Sequence, residues 1–291
     1  MTPQDFEYLR RLLRERSGLS LSADKHYLLE SRLLPIARQA GVVGLSQLTQ
    51  LLRAPRAEAL IIEVVEAMTT NETYFFRDKA PFDHFRDTML PSLLIARASQ
   101  RRIRVWCAAC STGQEPYSLA MMLAEMGSKL AGWRIEILGT DISTEVIAKA
   151  KAGVYTQFEV QRGLPIQMLV KHFSQTGDRW RLSQAIRNMA QLRPLNLLRD
   201  FGNLGKFDVL FCRNVLIYFD QAAKGPMLDR LAQVVAPDGF LVLGAAETVV
   251  GLTGAFKPHA EKRGLYTPLP SPGAAPRTAP EAPRLVGGVA V

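Results

Sequence analysis

A chain of 291 residues, 47% of them hydrophobic and with mean hydropathy near zero, suits a water-soluble protein of one large or two unequal domains. It holds no uncharged apolar run of about 18 residues, which excludes a membrane-spanning helix. The charged start MTPQDFEYLRRLLRERSG lacks the apolar core of a secretory signal, so a cytoplasmic location is expected. The net charge of +9 is spread without a dense Lys/Arg run or interleaved aromatics, which reads as an ordinary basic surface rather than a nucleic-acid groove.

The first 70 or so residues are predicted to be all-helical. Phe6, Leu9, Leu12 and Leu13 recur at helical spacing, and Gly18 is a stop. Leu28, Leu29, Leu33 and Ile36 mark a second helix, and Leu45, Leu48, Leu51 and Leu52 a third. Ala59 to Met68 marks a fourth. No catalytic constellation falls here. The arginines Arg10, Arg11, Arg14, Arg16, Arg32 and Arg38 read first as a solvated face and second as a surface for a partner. The stretch TTNETYFFRD, Thr69 to Asp78, fits either a ligand wall between domains or a capped loop whose aromatics enter the core. Phe82, Phe85, Met89 and Leu94 continue on a helix.

Arg104 to Ala120, RVWCAACSTGQEPYSLA, reads as strand, tight loop and helix start. Gly113 permits a turn or a close approach by a ligand, Ser111 or Thr112 is expected to cap the helix, and Pro116 fits its first turn. This is how a nucleotide-type site begins in an open α/β sheet. A pyrophosphate is disfavoured, because Glu115 would repel it and no complete G-x-G-x-x-G is present. S-adenosylmethionine, with a sulfonium, an ammonium and ribose hydroxyls but no phosphate, suits a carboxylate there. The other reading of Glu115 is a first-turn acid that favours the helix dipole. Cys107, Cys110 and Cys212 fit a reducing compartment. The C-x-x-C of Cys107 and Cys110 suits a redox pair or half a metal site but has no second pair to match it, so these two read first as buried structural thiols, and no metal site is expected.

Trp133 to Gly139 is a second strand running to Asp141, which is placed either for ribose hydroxyls or to help cap the next helix. Residues 153 to 195 break the α/β rhythm and read in part as an insertion for substrate or partner contact. Leu164 to Phe173 fits a helix, Phe173 to Leu182 a hairpin turning at Thr176-Gly177-Asp178, and Met189 to Leu192 the next core strand, with Asn196-Leu197 at its end. Phe207 to Cys212 is a buried strand that delivers Arg213, Asn214 and Tyr218 to the carboxyl edge. A helix at 221–235, a strand at Phe240 to Gly244 and a last antiparallel edge strand at Arg263 to Leu269 follow. The Pro/Ala/Gly-rich tail from Pro268 reads as disordered.

Taken in order, TTNETYFFRD, ACSTGQEPYSLA, TDIS, FCRNVLIYF and PDGFLVLGAAE resemble the chemotaxis-receptor glutamate O-methyltransferases, the CheR type. The resemblance implies an α/β class I S-adenosylmethionine-dependent methyltransferase (Rossmann-like) sheet with an N-terminal all-helical domain and a small inserted β-subdomain. The implied boundaries are 1–72 for the helical domain, 73–267 for the methyltransferase domain with its insertion at about 155–188, and 268–291 for the tail. The implied reaction moves a methyl group from S-adenosylmethionine to glutamate side chains on the cytoplasmic helical domain of chemoreceptors, leaving S-adenosylhomocysteine.

Carried over by motif, the cofactor residues are Asn71, Thr73, Arg77, Glu115, Asp141, Asn196, Leu197, Arg213 and Asn214, with Arg77 and Tyr218 nearest the reacting methyl. The turn Gln175–Arg179 is short for a family member that docks to a C-terminal receptor pentapeptide, which implies the pentapeptide-independent type. A monomer is expected, with no nucleic acid and no membrane insertion. A glutamate carboxylate, of pKa about 4.3, is already ionised at neutral pH, so the chemistry asks for no general base. Two alternatives stand beside this reading: a methyltransferase with another macromolecular substrate, and a cofactor-binding signalling module without turnover.

Overall fold

The computed structural model describes residues 1–270; the remainder of the tail expected from Pro268 lies outside the described residues. The four expected N-terminal helices are α1 (Pro3–Ser17), α2 (His26–Gln39), α3 (Leu45–Leu52) and α4 (Glu58–Met68). The start of α1 is fixed by a reciprocal cap: the Asp5 amide donates to Thr2 Oγ1 at 3.2 Å, and the Thr2 amide donates to the Asp5 carboxylate at 2.9 Å. Asp5 also accepts from the hydroxyls of Ser46 and Thr49, which ties α3 onto α1. Leu9, Leu13, Leu29, Leu33, Leu48 and Val64 are buried together as the core of this unit. Several of the arginines read as a solvated face are engaged within the chain. Arg10 donates to Leu21 O, Arg32 to the carbonyls of Met68 and Thr69, Arg14 pairs with Asp220, and Arg16 pairs with Glu58.

After the linker the chain forms α5 (Ala80–His84), a single π-turn at Phe85–Met89, and α6 (Leu90–Ala96), then enters the main sheet. Its elements are β1 (Arg102–Ala108), α7 (Gln114–Met126), β2 (Arg134–Asp141) and α8 (Thr144–Ala152). A small unit follows, made of β3 (Val154–Thr156), α9 (Gln157–Gln161), α10 (Ile166–His172), β4 (Phe173–Thr176), β5 (Arg179–Leu182) and α11 (Gln184–Arg187). The main sheet resumes with β6 (Ala190–Pro194), β7 (Phe207–Cys212), α12 (Gln221–Ala232), β8 (Val235–Leu243), β9 (Phe256–Pro258) and β10 (Leu265–Pro268). The seven-stranded order is β6-β2-β1-β7-β8-β10-β9. The first five strands run parallel, β10 is antiparallel to β8, and β9 is antiparallel to β10. Alternate residues of β1 face opposite layers: Val105 and Cys107 join Phe85, Leu119 and Phe211, whereas Trp106 and Ala108 join Leu210, Leu228 and Leu241. Both faces are covered, which is why β7 is buried at every position.

The order is that of the expected Rossmann-like sheet, with its helical N-terminal unit and a small antiparallel sheet of order β3-β5-β4. The expected hairpin forms, with Gly177 and Asp178 as its two turn residues and Gly177 at φ 61°. Its third strand, β3, was not expected. Of the aromatics after Thr73, Phe75 enters the core, edge-on to Tyr155 and Phe173 at 5.1 and 5.7 Å, and so fastens the small sheet to the linker.

Several expectations need correction. The strand expected at Met189 to Leu192 as a core strand is β6, which takes the sheet edge, and only Leu192 of it is buried. The helix expected to reach residue 235 stops at Ala232, and β8 begins at Val235 and runs through Pro237-Asp238-Gly239. That segment stays in the sheet by an irregularity of register against β7, with Arg97 pairing to both Asp208 and Asp238 beside it. The expected last edge strand, β10, lies one place in from the edge, which belongs to β9.

Candidate active site

The parallel strands reverse direction of travel between β1 and β7, and the loops that leave their carboxyl ends part there. The loop after β1 is shaped by left-handed residues, with Ala109 at φ 58°, Ser111 at φ 51° and Gly113 at φ 93°. A Cβ on Gly113 would stand 2.9 Å from that of Ala150, so glycine is required for both backbone and space. The expected side-chain cap of α7 does not form. Gly113 holds that position, Ser111 Oγ donates to Asn71 O, and Thr112 Oγ1 donates to Gln114. Neither hydroxyl reaches a backbone amide of the first turn, and Ser111 ties the loop to the segment around Asn71.

Asp141 ends β2 and is buried. One carboxylate oxygen accepts from the Ser111 amide at 2.8 Å and the other from the Ser143 amide at 3.0 Å, so it joins the two loops. The cap of α8 is Ser143. Burial pushes the Asp141 carboxyl above its ordinary value, against the pull of those amides. Glu115 lies in the first turn of α7 and accepts from Arg213 Nη1 at 2.9 Å. Burial likewise raises its carboxyl, with Arg213 opposing the shift. The Arg213 side chain is only 2% exposed and also pairs with Asp78 at 2.8 Å and donates to Arg77 O. Arg77 is half-buried and donates from Nη1 to Glu72 O at 2.6 Å.

The third wall is the loop after β7. Asn214 takes φ 59°, a left-handed turn that asparagine tolerates. Tyr218 follows in a short 3-10 turn, and its carbonyl accepts from the Ser20 amide at 2.8 Å. Leu19 forms an antiparallel bridge with Phe219, so the helical unit closes this side. A Cβ on Gly18 would collide with the Phe219 ring at 2.5 Å.

Of the residues expected at the site, Asn71, Thr73, Arg77, Glu115, Asp141, Arg213, Asn214 and Tyr218 line one hollow of about 870 Å³, part of it open to solvent. Asn196 and Leu197 do not line it. The Asn196 side-chain amide donates to Arg16 O at 2.7 Å and its oxygen accepts from the Leu198 amide, while Leu197 is buried in the core on one face of the sheet. Asn196 borders a neighbouring hollow that shares Ile142 with the first. Sequence reasoning missed Ser17 and Leu19, which the helical unit contributes, and Glu247, whose carboxylate gathers the amides of the Asn214 loop. The one available signal for Glu247 was an acid soon after a buried strand.

The hollow is lined by the acids Glu72, Glu115 and Asp141 and by Arg77 and Arg213. Three negative groups against two positive ones favour a ligand with net positive character and disfavour a pyrophosphate. The donor set fits S-adenosylmethionine: acids for an ammonium and for ribose hydroxyls, arginines for a carboxylate. The three cysteines are free and buried, and desolvation pushes their thiols well above the ordinary value, as structural thiols require. Among the described residues no group of three His, Cys, Asp or Glu side chains is placed to hold a metal.

Comparison with known proteins agrees with this geometry. Residues 71–265 match the family described as CheR methyltransferase, SAM binding domain, and residues 4–69 match CheR methyltransferase, all-alpha domain. The chain is 42% identical over 254 residues to chemotaxis protein methyltransferase 1 of Pseudomonas aeruginosa, covering 85% of this chain and 91% of that protein. It is 40% identical to chemotaxis protein methyltransferase Cher2 of Pseudomonas putida, with the same coverage of 85% and 91%. To the chemotaxis protein methyltransferase of Vibrio parahaemolyticus it is 38% identical, over 88% of this chain and 94% of that protein. With both domain families matched in order and relatives this similar along most of its length, the chain belongs to the CheR family of S-adenosylmethionine-dependent methyltransferases.

Proposed function

We propose that this enzyme esterifies glutamate side chains of chemoreceptors, with the residues of the hollow in distinct roles. The observation that carries the reading is convergence. Four separated segments, around residues 69–77, 109–115, 141–142 and 213–219, bring acids, arginines and a tyrosine to one rim of the sheet. When bound, S-adenosylmethionine supplies an electrophilic methyl group on a sulfonium. Asp141 would hold ribose hydroxyls, and Glu115 would face the ammonium, with Arg213 setting its position. Asn71, Thr73 and Asn214 would complete the polar wall. Arg77 would orient a carboxylate, and Tyr218 would hold the incoming glutamate or guard the methyl.

An ionised glutamate needs no base, so the protein's contribution is alignment, which supplies up to about 7–11 kcal/mol. Attraction between carboxylate and sulfonium disappears in the transition state, so tight ground-state pairing would not speed transfer.

The receptor segment would be its cytoplasmic helical region, which places the enzyme in the cytoplasm, acting as a monomer. Among the described residues no helix is long and apolar enough to cross a membrane. The two-residue turn between β4 and β5 supports action without a C-terminal receptor pentapeptide.

The test is incubation with methyl-labelled cofactor and receptor cytoplasmic fragments, made with and without such a pentapeptide. Label released by mild base, equal for both fragments, is expected. Base-stable label would refute ester formation. Tight S-adenosylhomocysteine binding without transfer would favour a sensing module.

A further inference from the structure

We infer that Glu247 is a positioning residue for methyl transfer, acting through Tyr218. The inference rests on the proposed role of Tyr218 at the reacting methyl. Glu247 lies beyond the end of β8 and is buried. One of its oxygens accepts from the amides of Gly244 at 2.7 Å and Asn214 at 2.8 Å. The other accepts from Val215 at 2.9 Å and Leu216 at 2.7 Å, with Ile217 further off at 3.4 Å. The negative charge is thus met by a ring of backbone N–H groups that span the loop from β7 to Tyr218.

Such a ring asks for a full carboxylate. Glutamine would turn an NH2 group toward two of the donors and leave them unpaired. The ring also fixes the left-handed turn at Asn214, without which the chain would not deliver Tyr218 to the cavity wall. Gly244 makes the approach possible, because a Cβ there would stand 2.8 Å from the Glu247 carboxylate and 2.9 Å from the Asn214 side-chain nitrogen. On its other side the tyrosine carbonyl accepts from the Ser20 amide. Glu247 and the helical unit therefore hold the same short segment from opposite ends, and Glu247 sets its internal shape.

The experiment is a double-mutant cycle on the full chain with Glu247→Gln and Tyr218→Phe. It reads kcat for label transfer to a receptor cytoplasmic fragment, S-adenosylhomocysteine affinity by calorimetry, and folding by thermal midpoint. Glu247→Gln is expected to lower kcat about 100-fold, the effect of a displacement of about 1 Å. Affinity should fall less than kcat, because Asn214 is the one wall residue named for the cofactor on the disturbed loop, while Glu115 and Asp141 sit on other loops. In the Tyr218→Phe background the same substitution should cost no more than about twofold, the mark of two residues acting as a unit.

Gly244→Ala, which displaces the carboxylate without removing it, should reproduce that pattern and takes the place of Glu247→Gln if the latter does not fold. A slow Tyr218→Phe beside a Glu247→Gln with wild-type kcat, or losses that multiply, would overturn the inference alone. Wild-type kcat in Tyr218→Phe would overturn the reading of Tyr218 and the inference with it. If neither Glu247→Gln nor Gly244→Ala folds, the carboxylate serves the fold and the inference falls.

Discussion

Replacing Asp141 by alanine separates its two duties. In the free protein its carboxylate accepts from the Ser111 and Ser143 amides, and alanine would orphan both donors. Each unpaired buried amide costs about 1–3 kcal/mol, offset in part because a buried, pKa-raised carboxylate is no longer being desolvated. A net loss of about 2–3 kcal/mol of stability is expected, which leaves a folded protein at low temperature. The second duty is toward the ligand. S-adenosylhomocysteine lacks the sulfonium but keeps the ribose, so it reports on this contact without the methyl. Hydrogen bonds to a charged acceptor contribute about 1.5–3 kcal/mol each, and the loss of one should weaken binding by about 10–150-fold. Calorimetry at neutral pH on wild type, Asp141→Ala and the gentler Asp141→Asn reads the affinity, and a thermal scan reads the stability. An Asp141→Ala protein that melts early yet binds within twofold of wild type would refute the ligand role and leave only the joint between loops.

Other expectations bear on the same site and its frame. Burial raises the carboxyls of Glu115 and Asp141 above their ordinary values of 4.5 and 3.8, so the free protein loses stability as pH rises from those values through the raised ones. An ammonium at Glu115 and ribose hydroxyls donating to Asp141 favour the ionised forms, so S-adenosylhomocysteine affinity should strengthen as pH rises through the same window, with proton release seen by calorimetry in buffers of different ionisation heat. Flat affinity across it would count against both acids. Gly113→Ala, at φ 93° and 2.9 Å from Ala150, should cost about 2–4 kcal/mol by urea denaturation. Arg97→Ala leaves the buried Asp208 carboxylate with only the Arg104 amide and should cost about 3 kcal/mol in the same assay.

The helical unit was legible because its apolar residues recur at one period and Gly18 takes the left-handed cap that its position requires. The rim of the sheet was legible for a related reason. Strands of Ile, Val and Phe end abruptly in polar residues, and an open sheet binds ligands there. What stayed hidden was set by distance in sequence. The strand β9 has three residues including a proline, too few for any period to show. The strand β6 is an edge because it pairs with β2 alone, a matter of topology. Asn196 stands at a strand end like Asp141, yet a carbonyl of the helical unit captures its amide. The wall formed by Leu19 against Phe219 needs two segments 200 residues apart brought together, and no local pattern announces it.

Because Ser17 and Leu19 share the hollow with residues of the sheet, a ligand that fills it would bridge the helical unit and the sheet. Such a ligand acts as a staple across the joint. At a hundred times its dissociation constant it adds about 2.7 kcal/mol to whatever holds the units together. Saturation with the methyl donor would then raise the thermal midpoint, and the donor-free enzyme would be the form more open to proteolysis.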